Sequence, residues 1–198
     1  MKTYLLTIIT LLGIQQAIAQ QENYAAAIAS YQKKYVDSHE VVKGRDRRLI
    51  SFYPVDAGYN VTARFEKNMD TTTIAMKTSG TSIPVKNFTR YGKLFFKISD
   101  TALVLTVYRS TATMPADYKD YLFIPFTDMT SGSGSYGGGR YVDISTTDIK
   151  DGWVQLDFNK AYNPYCAYTT GYNCPIPPRE NYLQIFLRAG EKDYGKKH

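Results

Sequence analysis

The chain has few of the residues that enzymes most often use to move protons near neutral pH. Of its 198 residues only His39 and His198 are histidines, so none lies from Glu40 to Lys197. A Ser-His-Asp or Cys-His arrangement inside that span is excluded, and any catalysis there falls to Asp, Glu, Lys, Tyr, Arg or Cys. Cysteine is equally scarce, with only Cys166 and Cys174 present. One histidine falls on an expected helix and the other is the last residue, so the set is too small for a Cys/His metal site. No metal and no cofactor is expected. Beyond the N-terminus there is no apolar run approaching the roughly eighteen residues that a membrane-spanning helix needs. A concentrated block of one charge is also missing. The 24 basic and 18 acidic side chains are interspersed, and the densest basic run, Lys43 to Arg48, contains an aspartate. That pattern argues against a nucleic-acid partner.

What is present begins with an export signal. Lys2 supplies a positive start, Tyr4 to Ile14 is apolar but short, and Ala17-Ile18-Ala19 has the small-x-small pattern cut by signal peptidases. Residues 1–19 therefore read as a removable signal, with Gln20 as the new N-terminus and a periplasmic or extracellular destination. No cysteine follows the apolar stretch, which argues against a lipid-anchored start, and no membrane association is expected after cleavage. Removal of Lys2 lowers the formal charge from +6 to +5. The remainder fits one β-rich unit over 45–198, preceded by a helix over 20–44. Tyrosine is abundant, with 18 against 9 phenylalanines and 1 tryptophan, and it suits half-buried strands.

From Glu22 to Lys43 the pattern is helical. Tyr24, Ile28, Tyr31 and Tyr35 share one face, and Gly44 stands where a helix would stop. Period-two segments follow: Asn60–Lys67, Thr72–Thr78, Lys93–Ser99, Ala102–Arg109, Tyr121–Phe126, Trp153–Phe158 and Tyr182–Arg188. Each alternates apolar and polar residues, as a strand with one buried face does. Gly58, Gly80, Gly92 and Asp151-Gly152 punctuate the joins. The expected fold is mainly β, an antiparallel β-sandwich or squat barrel of nine or ten short strands, with one N-terminal amphipathic helix.

Three segments depart from alternation. From Phe123 to Tyr141 a strand ends at Asp128, a Gly/Ser-rich loop follows, and Arg140-Tyr141 begins another strand. The loop lacks the Gly-Lys-Ser/Thr of a phosphate loop and no helix follows it, so a long hairpin connection is favoured over an anion cradle. From Leu156 to Pro178 the chain concentrates aromatic, amide and proline residues around Cys166 and Cys174, which are placed to form a disulfide in an oxidising compartment. Near the end, Glu180 and Glu191 flank a strand, while Asp128, Asp143 and Asp157 lie at or near other strand ends.

A family resemblance lies on these residues. Phe52-Tyr-Pro-Val-Asp56, Tyr59-x-Val-x-Ala-x-Phe65, Thr78-Ser-Gly-Thr81 and Tyr91-Gly92 are similar to the opening motifs of domain of unknown function family 1684. Leu122-Phe-Ile-Pro-Phe-x-Asp128 and Tyr136-Gly-Gly-Gly-Arg-Tyr141 follow in the same order. The match closes with Leu156 to Cys166, Cys174-Pro-Ile-Pro-Pro178, Glu180-Asn181 and Ala189-Gly-Glu191, covering roughly Arg45 to Tyr194. Ser135 stands where the family pattern has Thr. The resemblance implies no chemistry, because the family is uncharacterised. It does imply that the cysteine pair need not serve a disulfide alone, since members without an apparent signal carry it.

Two functional readings result, beside a purely structural or interaction role. In the first the domain binds a small polar ligand or glycan through Tyr136, Arg140, Asn159, Tyr162, Asn163, Tyr165 and Tyr168, rings for stacking and amides for orientation. In the second it is a hydrolase or lyase with Asp128, Asp157 or Glu180 as acid or base and Arg140 or Lys160 steadying an anion. Two carboxylates about 5–10 Å apart across a cleft favour the enzyme, and an aromatic groove without such a pair favours binding.

Overall fold

The computed structural model describes residues 2–80, 82 and 85–196; His198 and Thr81 lie outside the described residues. Helix α1 runs from Lys2 to Ser38. Ile28 is buried, and the Tyr24 and Gln32 side chains on the same side of the helix donate to Asp157 and to the Asn159 carbonyl. The tyrosine face therefore packs on the β domain, as its spacing predicts. The helix stops five residues before the expected end at Lys43. The cause is His39, which lies just past the helix rather than on it. Its buried ring accepts from the Val41 and Val42 N–H groups at 3.3 and 2.9 Å, turning the backbone out of the helix. Gly44, with φ +56°, then opens a 3-10 turn over Gly44–Leu49. Among the described residues no helix is long and apolar enough to cross a membrane.

Eight strands follow: β1 Asn60–Lys67, β2 Thr73–Lys77, β3 Val85–Ile98, β4 Thr101–Ser110, β5 Tyr121–Asp128, β6 Arg140–Ser145, β7 Trp153–Asp157 and β8 Tyr182–Leu183. They form one curled sheet in the order β6-β5-β4-β3-β1-β7, antiparallel throughout, with β2 paired to β3 and the short β8 lying parallel to β5. The fold is therefore mainly β and is a half-barrel, closer to the squat barrel than to the sandwich. No ladder joins β6 to β7, which stand as its two edges.

Two expected boundaries differ. Gly92 is not a join but sits inside β3, at a bulge beside Arg90. A Cβ there would meet the Phe65 ring at 2.4 Å and the Glu66 carbonyl at 2.6 Å, so glycine lets β1 and β3 close together. The last strand is two residues long instead of seven. Beyond Leu183 the backbone finds side-chain partners: the Leu187 N–H donates to Asp128 Oδ1, and the Leu187 carbonyl accepts from Arg140. The alternation of Leu183 and Leu187 toward the core survives without a ladder.

The main core fills the concave side, with Leu94, Leu105, Leu122, Ile124, Phe126 and Leu156 fully buried. On strands β5 and β6 the opposite face is covered too. Phe123 and Tyr141 join Met76, Phe88 and Tyr108 in a separate aromatic cluster beneath the segment after β7. That doubly buried corner is where the groove described below forms.

Candidate functional site

The two charges closest to the Gly/Ser-rich loop are locked into the fold. Arg140 and Asp128 have no exposed side-chain surface and pair at 2.8 Å. The same guanidinium donates to the carbonyls of Leu187, Ala189 and Glu191. The other Asp128 oxygen accepts from the N–H groups of Thr130 and Leu187. In the loop, the N–H groups of Ser133, Gly134 and Ser135 all turn onto the Thr130 carbonyl, which is a compact hairpin connection and leaves those groups no anion to cradle. Neither Arg140 nor Asp128 faces solvent in this arrangement.

Asp157 and Asn159 form a second closed knot. Asp157 Oδ1 accepts from the Tyr24 hydroxyl at 2.9 Å and from Asn159 N–H at 3.0 Å. Asn159 accepts from Asp56 N–H and donates to its carbonyl, tying the entry of β1 to the exit of β7. Glu180 stands elsewhere, held by Arg90 at 3.0 Å and by the Tyr108 hydroxyl. Burial alone would raise its pKa, but these two partners outweigh burial and hold the carboxyl below its ordinary value. Tyr136 rests on the Cys166 carbonyl, and Lys160 is exposed with its ammonium 5.5 Å from the Tyr31 ring.

Three of the expected contact residues, Tyr162, Asn163 and Tyr165, do come together. They line a groove of about 680 Å³ floored by the Phe88, Phe123 and Tyr141 rings of the sheet. The disulfide between Cys166 and Cys174 closes a short loop at its rim and carries Tyr172 to within 5.1 Å of the Tyr165 ring. Tyr168 lies behind the groove, buried against His39 and Tyr35.

Two carboxylates left out of the expected set prove to be the least compensated. Glu191 is fully buried and accepts from Tyr168 at 2.6 Å, Asn163 N–H at 2.9 Å and Tyr35 at 3.2 Å, with no cation on its carboxylate. Burial pushes its pKa up to about 7 against the pull of these donors. Asp143, on edge strand β6, accepts from Tyr121 at 2.8 Å and Tyr162 at 2.6 Å. It is crowded by protein yet remains open to solvent along one side. Crowding lifts it to about 6, while the open side limits the energy behind that shift. Asp143 lines a second cavity of about 620 Å³, in the gap between edge strands β6 and β7, together with Asp157, Lys150 and Lys160. Tyr162 lines both cavities, so its hydroxyl sits on the wall between them. In sequence, Asp143 gave one usable signal: it shares a strand face with Tyr141, between two core residues on the other face. Glu191 stood out only as a carboxylate flanking a strand, because its partner Tyr35 is 156 positions away. Among the described residues no cluster of His, Cys, Asp and Glu could hold a metal.

Comparison with known proteins matches the chain to uncharacterised relatives. Among curated proteins none matches. A similar solved structure is the solution NMR structure of the uncharacterized protein from gene locus rrnAC0354 of Haloarcula marismortui. It is 26% identical, with a TM-score of 0.65, over 88% of this chain and 96% of the other. A family profile covers residues 47–192, all eight strands and the lining of both cavities except the tyrosines of α1, and by that match the chain belongs to the proteins of unknown function of family DUF1684.

Proposed function

We propose that the protein is an exported binding module for a small polar ligand or glycan, held in the aromatic groove. The observation that carries this reading is the convergence of Tyr162, Asn163 and Tyr165 on one cavity walled by rings from three strands. At about 680 Å³ the cavity is within the usual range for small-molecule sites, which runs to roughly 300–1,000 Å³. Ring faces there suit the flat C–H faces of a sugar or the body of a small metabolite. Export is supported by the signal-like residues 1–19 and by the disulfide, which persists in oxidising compartments. On this reading 45–198 works as one β-rich unit and the 20–38 part of α1 is its structural cover.

Titrating the folded chain with a broad glycan and metabolite panel, read by NMR shifts of groove residues, tests the reading. At least one compound shifts Tyr162 and Tyr165, and Tyr165→Ala weakens it; flat titrations across the panel overturn the reading. A second reading, hydrolase or lyase, draws on the other cavity, where Asp143 titrates near 6 beside Asp157 and Lys160. An Asp143→Asn variant that folds and keeps any turnover found for the protein removes that reading.

A further inference from the structure

Six tyrosines line the groove, and five of them have their hydroxyl protons already committed to the protein. Tyr121 and Tyr162 both donate to Asp143, at 2.8 and 2.6 Å. Tyr165 donates to Glu40 at 2.7 Å, and Tyr141 donates to the Pro175 carbonyl. Tyr35 lies 3.2 Å from Glu191 and 3.0 Å from the Tyr168 oxygen, so its proton points inward whichever of the two takes it. A tyrosine hydroxyl has one proton and two lone pairs. Once the proton is spent inward, only lone pairs remain for a ligand. The groove thus presents phenol oxygens that can accept and cannot donate, on rings whose faces carry negative quadrupole. Behind three groups of these oxygens stand the carboxylates Asp143, Glu191 and Glu40, none of which has a cation paired to it in the described structure. Lys86, on β3, is the one cationic side chain among the lining residues.

Resting on the groove reading above, we infer that the ligand is a small organic ammonium compound, its cationic head lodged among the Tyr35, Tyr121 and Tyr162 rings in front of Asp143. An ammonium supplies what this cluster of committed tyrosines lacks, donors or a diffuse positive surface, and gains from ring faces and from the carboxylate behind them. A carboxylate or phosphate ligand would meet only lone pairs at that end. Lys86, on β3 and three strands across the sheet from Asp143 on β6, selects against a second positive group and favours a neutral or anionic tail.

The test is a titration of the full chain with choline and, in parallel, with its uncharged isostere in which carbon replaces the quaternary nitrogen. Chemical-shift changes at Tyr121 and Tyr162 report the site. Choline is expected to bind at least about tenfold more tightly than the isostere. Asp143→Asn should weaken choline by about threefold to tenfold and leave the isostere unchanged. Equal binding of the two compounds, or choline binding that ignores Asp143→Asn, overturns the inference. If choline leaves the groove untouched while a sugar from the panel shifts it, the ammonium inference falls and the binding reading stands. If neither choline nor any panel compound shifts groove residues, both fall.

Discussion

Asp128 and Asp143 lie at the two ends of the same hairpin, β5–loop–β6, and the protein treats them in opposite ways. Asp128 is wholly buried and faces a guanidinium at 2.8 Å, with every neighbouring carbonyl drawn into the same network. Asp143 is crowded but open on one side, and its partners are two phenols that donate protons without bringing charge. The first arrangement neutralises a charge and closes around it, which fixes the loop at 184–191. The second leaves a net negative charge at a cavity wall. Glu191 follows the second pattern at greater depth. The comparison teaches that a carboxylate's burial does not by itself tell scaffold from site. The charge of its partners does.

The largest expected effect comes from breaking the compensated pair. Arg140→Met keeps much of the side-chain volume but leaves Asp128 buried without its cation. Three carbonyls lose a donor as well. Removing one member of such a pair costs about 3–5 kcal/mol. Chemical denaturation of the variant should show that loss. A change under about 1 kcal/mol would mean that the Arg140–Asp128 pair does not hold this loop and that Asp128 does not differ from Asp143 in the way described.

Glu191 gives the next effect, and its sign separates the two patterns. Its pKa rises from 4.5 to about 7 on folding, so the folded state holds a proton that the unfolded chain has released between those values. The Glu191 contribution to stability then increases as pH falls from 8 toward 5, and it is gone above pH 7. The swing is up to about 3 kcal/mol. Carboxylates paired with arginine behave in the reverse sense, losing stability on acidification. Glu191→Gln should remove this contribution, chiefly by raising stability at pH 8 relative to wild type. The buried His39, whose pKa falls to about 4, pulls the wild-type profile the other way, so the difference between wild type and variant is the readout; a difference that does not grow from pH 5 to pH 8 contradicts the assignment.

How far the sequence reveals this depends on the range of the interactions. Strand β1 has the bounds its alternation predicts, Asn60–Lys67, because a half-buried strand writes its pattern locally. The limits of the Gly/Ser-rich loop at Asp128 and Arg140 are local for the same reason. The first half of β3 escapes notice because Gly92, a routine break signal, serves there as a place for two strands to approach. The end of α1 escapes because a buried histidine, not the glycine, turns the chain. The groove is half legible: Tyr162, Asn163 and Tyr165 are close in sequence, whereas Tyr35, Phe88 and Tyr121 reach it from three other elements. Asp157 and Asn159 look like site residues in sequence for a sound reason, since amides and carboxylates at strand ends must be satisfied somewhere. Here the chain itself satisfies them.

That internal satisfaction has a measurable worth. Tyr24→Phe deletes the one hydroxyl that reaches from α1 to Asp157 and Asn159 without leaving a void. The hydrogen bond is to a buried carboxylate oxygen that keeps other donors. The loss should be about 1–1.5 kcal/mol by denaturation. An unchanged midpoint would show that this hydrogen bond adds nothing to the docking of α1, which would then rest on Ile28, Gln32 and Tyr35.

The smallest effect belongs to Asp143→Asn, and it bears most directly on the comparison. Asparagine keeps the shape and one carbonyl acceptor for Tyr121 or Tyr162, and removes only the charge. Crowding makes that charge unfavourable, as the pKa near 6 records, but solvent at the open side screens much of the cost. Stability at pH 8 should therefore change by less than about 0.5 kcal/mol, with any shift toward a more stable fold. Below pH 3.8, the ordinary value of the group, the carboxyl is protonated in both folded and unfolded chains, so wild type and variant should coincide there. A scaffold carboxylate such as Asp128 could not behave this way, because its removal strands an arginine. A loss of about 2 kcal/mol or more on Asp143→Asn would place it with the scaffold. It would also strip the groove of the feature that distinguishes it.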